Sequence, residues 1–322
     1  MTPSPALFLV LLAFSADDVQ MNLSPSLELG GGYDSNILLQ NTGRIEGAFN
    51  QTSSRFDLDL RVTKYLSFIT DYEILYINYS AGVFSSLDNF VAAGFSIKPL
   101  SFLTFNLVGQ YEIFDPSPQP EYASYAFNRV VALPTLDLGW KRLTARGALY
   151  YSLMEFPKRP PSPSPPAAQE NQVDKNIEPS LLLGYAPWTS TALGLTYSYI
   201  VIRSNLMENG HHTLNSLGHG ITINIWQALW RKGRVNLRLQ YVTRDFEDSI
   251  DPQGRRDKGL KASFIFRQKF IDYLEGFVSM SQLWQDSNNR SETYEKAFAF
   301  IGLKVLFDPV RMDRLWREEL SF

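Results

Sequence analysis

Three histidines, His211, His212 and His219, are the side chains of this sequence best suited to proton transfer or metal ligation. The first two are adjacent in a polar stretch, and His219 follows in a segment of strand-like alternation. A hydrolase would need a serine or a carboxylate within hydrogen-bond reach of one of them, and no spacing in the chain selects such a partner. Adjacent residues seldom complete a metal shell. The histidines therefore read as solvated loop and rim residues, and no catalytic residue, cofactor or metal site is assigned. With no cysteine in 322 residues, thiolate zinc sites, disulfides and cysteine nucleophiles are excluded. The acids Asp57/Asp59 and Asp71/Glu73 recur at i, i+2. In an extended chain that spacing places both carboxylates on one face, and any strand with one polar face produces it.

The pairs thus point to the element that carries them. Residues 56–62 read Phe-Asp-Leu-Asp-Leu-Arg-Val, with Phe56, Leu58, Leu60 and Val62 on one face and Asp57, Asp59 and Arg61 on the other. The same period predicts fourteen strands: 24–36, 55–64, 67–79, 87–98, 101–114, 127–138, 143–155, 175–185, 190–202, 214–226, 234–246, 258–268, 273–284 and 294–307. Most are about twice the roughly five to six residues of an ordinary strand. Short turns near 65, 99, 141, 187, 229 and 271 alternate with longer polar loops, including the proline-rich 157–166 and 245–257. An even number of long strands, with tight turns at one end and long loops at the other, predicts an all-β fold: a closed antiparallel transmembrane β-barrel with short periplasmic turns and long extracellular loops.

Composition agrees. Aromatic residues make up 14% of the chain, and charged residues make up 20%, below the roughly 25% of soluble domains. The longest apolar run, 6–14, is too short for a spanning helix, which needs about 18 or more residues. A net charge of -3 and a pI near 5.7 provide no broad footprint for nucleic acid. Residues 1–16 have the short apolar core and small residues of a secretory signal, so the expected organisation is signal 1–16, barrel 17–307 and periplasmic tail 308–322, in a bacterial outer membrane. Tyr65, Phe102, Trp140, Trp188, Trp226, Trp230, Phe270 and Tyr273 fall at or beside the short turns, where an interfacial girdle would lie.

The face opposite each apolar stripe supplies the candidate pore lining. Its acids are Glu28, Asp34, Asp57, Asp59, Asp71, Glu73, Glu112, Asp137, Glu178 and Glu275; its bases are Arg61, Lys98, Arg129, Arg146, Arg238, Arg244, Lys261, Arg267, Lys296 and Lys304. Acids concentrate in the first five strands and bases later, which predicts opposite arcs of opposite sign, with Lys296 and Lys304 meeting Glu28 and Asp34 where the barrel closes. Two consequences stay open: charges paired across neighbouring strands, or a transverse field acting on polar solutes.

The first strand carries Gly31-Gly-Tyr-Asp-Ser-Asn36, and this Gly-Tyr-Asp-x-Asn phrase resembles the opening strand of a group of Gram-negative barrels. That group comprises porin-like barrels found with exopolysaccharide export systems and the carboxy-terminal barrels of surface lipoprotein assembly modifiers. The resemblance implies a barrel over 24–307; the helical-repeat domain of the lipoprotein modifiers is absent from this sequence. Gly302, Val305 and Phe307 resemble the terminal-strand signal read by the barrel assembly machinery, with Phe300 where a polar residue is usual. After Asp308-Pro309, the residues Val310, Leu315, Trp316 and Leu320 could share one short helical face. Functionally, the sequence predicts a channel for polar solutes or an exported polymer. The alternative is a component of a secretion or surface-assembly apparatus that binds a periplasmic or surface export partner. Expected partners are outer-membrane lipid and the barrel assembly machinery.

Overall fold

The computed structural model describes residues 19–37, 46–80, 85–116, 125–157, 171–206, 213–247, 254–307 and 310–311. Residues 1–18, where a signal is expected, most of the proline-rich loop, His211, His212 and the residues beyond 311 lie outside the described residues. Fourteen long strands follow one another: β1 (Gln20–Asp34), β2 (Gly47–Arg61), β3 (Leu66–Tyr79), β4 (Ser85–Leu100), β5 (Leu103–Pro116), β6 (Phe127–Trp140), β7 (Leu143–Phe156), β8 (Gln172–Trp188), β9 (Thr191–Ser204), β10 (Ser216–Ala228), β11 (Gly233–Phe246), β12 (Arg256–Ile271), β13 (Leu274–Ser287) and β14 (Tyr294–Leu306). Every strand pairs antiparallel with its sequence neighbours, and β14 pairs back onto β1, so the sheet closes into a barrel. Closure leaves no free edge in a medium where unpaired backbone groups have no solvent to bond.

Register partners in an antiparallel pair share a face, so one anchored strand orients all the others. Asp34 and Phe49 are 1% and 2% exposed and point inward, whereas Leu181, Leu183, Leu195, Ile221, Ile223 and Ile301 stand outward in the open. An apolar patch that encircles a molecule is untenable in water and suits hydrocarbon. Tyr65, Phe102, Trp140, Trp188, Trp230, Phe270 and Tyr273 ring the turn end and are heavily exposed.

A second ring, not anticipated from the sequence, lies nearer the loop end. Tyr33, Tyr76, Tyr111, Tyr151, Tyr197, Tyr241 and Trp284 all face outward, one from each odd-numbered strand of the first thirteen. Eight residue steps separate Leu143 from Tyr151, about 27 Å along a strand and about 20 Å along the membrane normal at a tilt of about 40°. Two aromatic rings bounding an apolar band of roughly that height are the membrane signature of such barrels.

Most strand ends differ by a few residues from those expected from the sequence, and two differences have a clear physical reason. β2 begins at Gly47, eight residues before the predicted start at 55, because outward Asn50, Thr52 and Ser54 lie at the polar loop end and break the apolar alternation. Val310 is extended, not helical: β15 (Val310–Arg311) pairs with Asn22 and Leu23 of β1. β14 ends against Ser26, leaving the first residues of β1 with an open edge that the returning chain covers, while the Phe307 amide donates to the Pro25 carbonyl at 3.1 Å.

Candidate functional site: the inward face

Register places nineteen of the twenty charged residues expected in the lining on the inward face; Lys98 lies in the irregular stretch of β4 between Ile97 and Leu100, where no register partner fixes its face. Arg55, Asp88, Asp174, Arg234, Asp257 and Lys269 join them; the sequence reading missed these. Arg55, Asp88 and Arg234 carry the same alternation signal, whereas Asp174, Asp257 and Lys269 lie just past the predicted strand ends.

Register decides which charges meet. Arg55 bridges Asp57 at 2.9 Å and Asp71 at 2.5 Å. Arg129 pairs with Glu112, and Arg146 with Asp137. Arg234 and Arg267 converge on one carboxylate, Glu275, at 2.8 and 3.1 Å. Arg238, Arg244, Lys261 and Lys304 form no ion pair among the described residues. On β1–β5 acids outnumber bases; on β11–β14 the inward charges are Arg234, Arg238, Arg244, Lys261, Arg267, Lys269, Lys296 and Lys304 against Asp257 and Glu275.

The two arcs are not diametrically opposed. β14 neighbours β1, so the basic and acidic arcs adjoin at the seam, where Glu28 is the register partner of Lys304. A chain folded as consecutive hairpins brings its first and last strands together, and the two ends of its charge gradient come with them.

The seam also accounts for the Gly-Tyr-Asp-x-Asn phrase. Asp34 accepts hydrogen bonds from the Asn36 amide at 3.0 Å and the Tyr79 hydroxyl at 3.3 Å, and pairs with Lys296 Nζ at 2.7 Å. Asn36 Nδ2 donates to the Glu295 carbonyl at 3.0 Å, and the Ala297 amide donates to Ser35 Oγ at 2.7 Å. Asp34, Ser35 and Asn36 therefore latch the first strand to the last. Below the latch, Gly30 and Gly32 let Phe300 and Phe49 lie flat on the wall: a Cβ at Gly30 would stand 2.6 Å from the Phe300 ring, and one at Gly32 2.6 Å from Phe49.

Phe49, Phe277, Phe300 and Tyr79 form a buried aromatic cluster packed by Phe298 and Ile77, with Phe49 stacked on Phe300 at 5.8 Å between centroids. The interior is thus polar around most of its circumference but aromatic at the seam. The Phe300 ring fills the space that Gly30 leaves on the wall.

Trp226 corrects the girdle assignment. It is the register partner of Asn236 and shares the inward face of Thr222 and Asn224, lining an inward cavity with Arg234, Asn236, Ile265 and Arg267. His219 faces outward, where Nδ1 lies 2.7 Å from the Tyr197 hydroxyl. Among the described residues, no carboxylate bonds His219, and no group of three or more His, Asp or Glu able to hold a metal occurs.

No family model and no curated protein sequence matches the chain. Solved structures do resemble it. The in-vitro folded trimer form of OmpT, an outer membrane protein of Vibrio cholerae, is 11% identical with a TM-score of 0.51, covering 90% of this chain and 100% of that one. Salmonella typhi OmpF in complex with daunomycin is 9% identical at a TM-score of 0.51, covering 91% and 99%. The outer membrane channel DcaP of Acinetobacter baumannii is 10% identical at a TM-score of 0.51, with the same coverage. The chain therefore shares the closed antiparallel β-barrel fold of outer-membrane proteins.

Proposed function

We propose that this chain is an outer-membrane channel, its turn end in the periplasm, through which polar solutes or an exported polymer pass under the control of the inward charges. The observation that carries this reading is the segregated charge on the inward face, with Arg238, Arg244, Lys261 and Lys304 free of ion pairs among the described residues. A barrel interior evolved only as a packed core has no use for unpaired cations, because isolated buried charge is strongly unfavourable without a partner or water. Asp71 Oδ1, Asp88 Oδ1 and Arg244 Nε are likewise buried on this face without a protein partner, which a wet interior satisfies. Fourteen strands lie between the side-chain-filled eight-stranded barrels and the open barrels of sixteen or more.

The test is reconstitution in planar bilayers. Discrete conductance steps are expected, with a reversal potential in a salt gradient that shifts toward cation selectivity when Arg238 and Lys261 are both replaced by Glu. A sealed barrel with no conductance overturns the reading.

A further inference from the structure

The inward wall of β10–β13 near the turn end holds a cluster that closing the barrel does not require. Arg234 on β11 and Arg267 on β12 are register partners and share the single carboxylate of Glu275. Two guanidinium groups on one carboxylate leave a positive charge uncompensated, and Glu275 also has Lys269 and Lys304 as its register partners on the two flanking strands. Glu275 lies deep, with its side chain 7% exposed, whereas Arg234 and Arg267 are 43% and 32% exposed. Beside them opens a cavity of about 280 Å³ lined by Trp226, Arg234, Val235, Asn236, Ile265 and Arg267. That volume falls just below the roughly 300–1,000 Å³ of drug-sized ligand pockets, so it suits a small anion. Within it Trp226 and Ile265 supply an apolar wall, Asn236 a neutral polar group, and the two arginines a planar fork suited to a carboxylate.

We propose that this cavity is a binding subsite for a ring-borne carboxylate: an anion whose flat or ring-shaped body lies against Trp226 while its carboxylate meets Arg234 and Arg267. The proposal rests on the channel reading for its access route, but the binding itself does not depend on conduction. Glu275 is an internal competitor for the same two guanidinium groups. Removing its charge therefore favours the incoming anion, which no purely structural role for Glu275 would produce. An aromatic acid and an acidic sugar share this chemistry, and the test separates them.

The experiment is calorimetric titration of the folded, detergent-solubilised full chain with benzoate, glucuronate, acetate and benzylamine, with folding of every variant checked by its gel shift on heating. Benzoate, glucuronate or both should bind, acetate at least ten-fold more weakly, and benzylamine not at all. Glu275→Gln should tighten binding several-fold, and Trp226→Ala should weaken the ring-bearing anion at least five-fold while leaving acetate unchanged. Should Glu275→Gln fail to fold, the Trp226→Ala comparison decides alone. Binding of neither ring carboxylate, equal binding of benzylamine, or a Trp226→Ala variant that binds like the parent overturns the subsite. Conductance without binding would leave the channel reading standing and reject the subsite; binding without conductance would do the reverse.

Discussion

Replacing Lys296 by Met tests whether the latch at the seam holds the barrel closed. Lys296 Nζ lies 2.7 Å from Asp34 Oδ2, and the two side chains are 23% and 2% exposed. The substitution leaves a buried carboxylate with only the Asn36 amide and the Tyr79 hydroxyl as neutral donors. Breaking one partner of a buried pair costs about 3–5 kcal/mol, and because Lys296 is itself about a quarter exposed, water recovers part of this, placing the expected loss at about 3 kcal/mol. With a urea slope of about 1–3 kcal/mol/M, the unfolding midpoint should fall by about 1–3 M. Removing both charges, as Asp34→Asn with Lys296→Met, should restore much of the loss, because replacing a buried pair as a unit is far less damaging than orphaning one member. The assay is urea titration of the barrel folded into lipid vesicles, followed by tryptophan fluorescence and the heat-dependent gel shift. A single variant with the parental midpoint, or a double variant no better than the single one, would refute the latch.

Further outcomes can be checked in the same system. Gly302→Val should reduce the folded fraction, since a Cβ there would stand 2.6 Å from the Phe277 ring and 2.8 Å from the Leu29 carbonyl oxygen; Phe277→Ala should rescue it only in part, because the backbone contact remains. Trp188→Ala and Trp140→Ala at the turn end should slow insertion into vesicles more than Trp226→Ala, which removes an inward ring and not an interfacial anchor. Lys232 and Lys269 hold the Asp272 carboxyl in the β12–β13 turn below its ordinary value through hydrogen bonds and charge. A depressed folded value contributes stability above the unfolded pKa, and that contribution is lost as pH falls through the folded value. Parent and Asp272→Asn should therefore have the same pH dependence between pH 5 and 8, and any divergence should appear only under stronger acid; a difference emerging near neutrality would contradict it.

Most of the barrel was legible in the sequence because the side-chain period of a strand is a property of the backbone. Alternation at 56–62 predicts which side chains share a face whether or not the partner strand is known. The same parity placed Glu28, Asp57, Arg129, Arg238 and Lys304 inward without any contact information. Where polar residues face outward at the loop end, as at Asn50, Thr52 and Ser54, the alternation fades and the pattern reveals β2 only from residue 55, eight residues after it begins. The Tyr ring near the loop end was equally available, one residue per second strand, but tyrosines in mid-segment look like lipid-facing apolar residues until the strands are aligned.

The sequence by itself determined the class of fold, the closed antiparallel arrangement, and most of the charges that share the inward face; Arg55, Asp88, Asp174, Arg234, Asp257 and Lys269 joined them only with the register. Tertiary structure alone decided which of those charges meet. Asp34 and Lys296 are 262 residues apart in the chain, and only the register of β14 on β1 makes them partners. The same register lays Phe300 over Gly30, joins the acidic and basic arcs instead of opposing them, and sets Arg234 and Arg267 around Glu275. Period is local and repeats every two residues; register is a choice among shifted pairings, made by the packing of the whole closed ring.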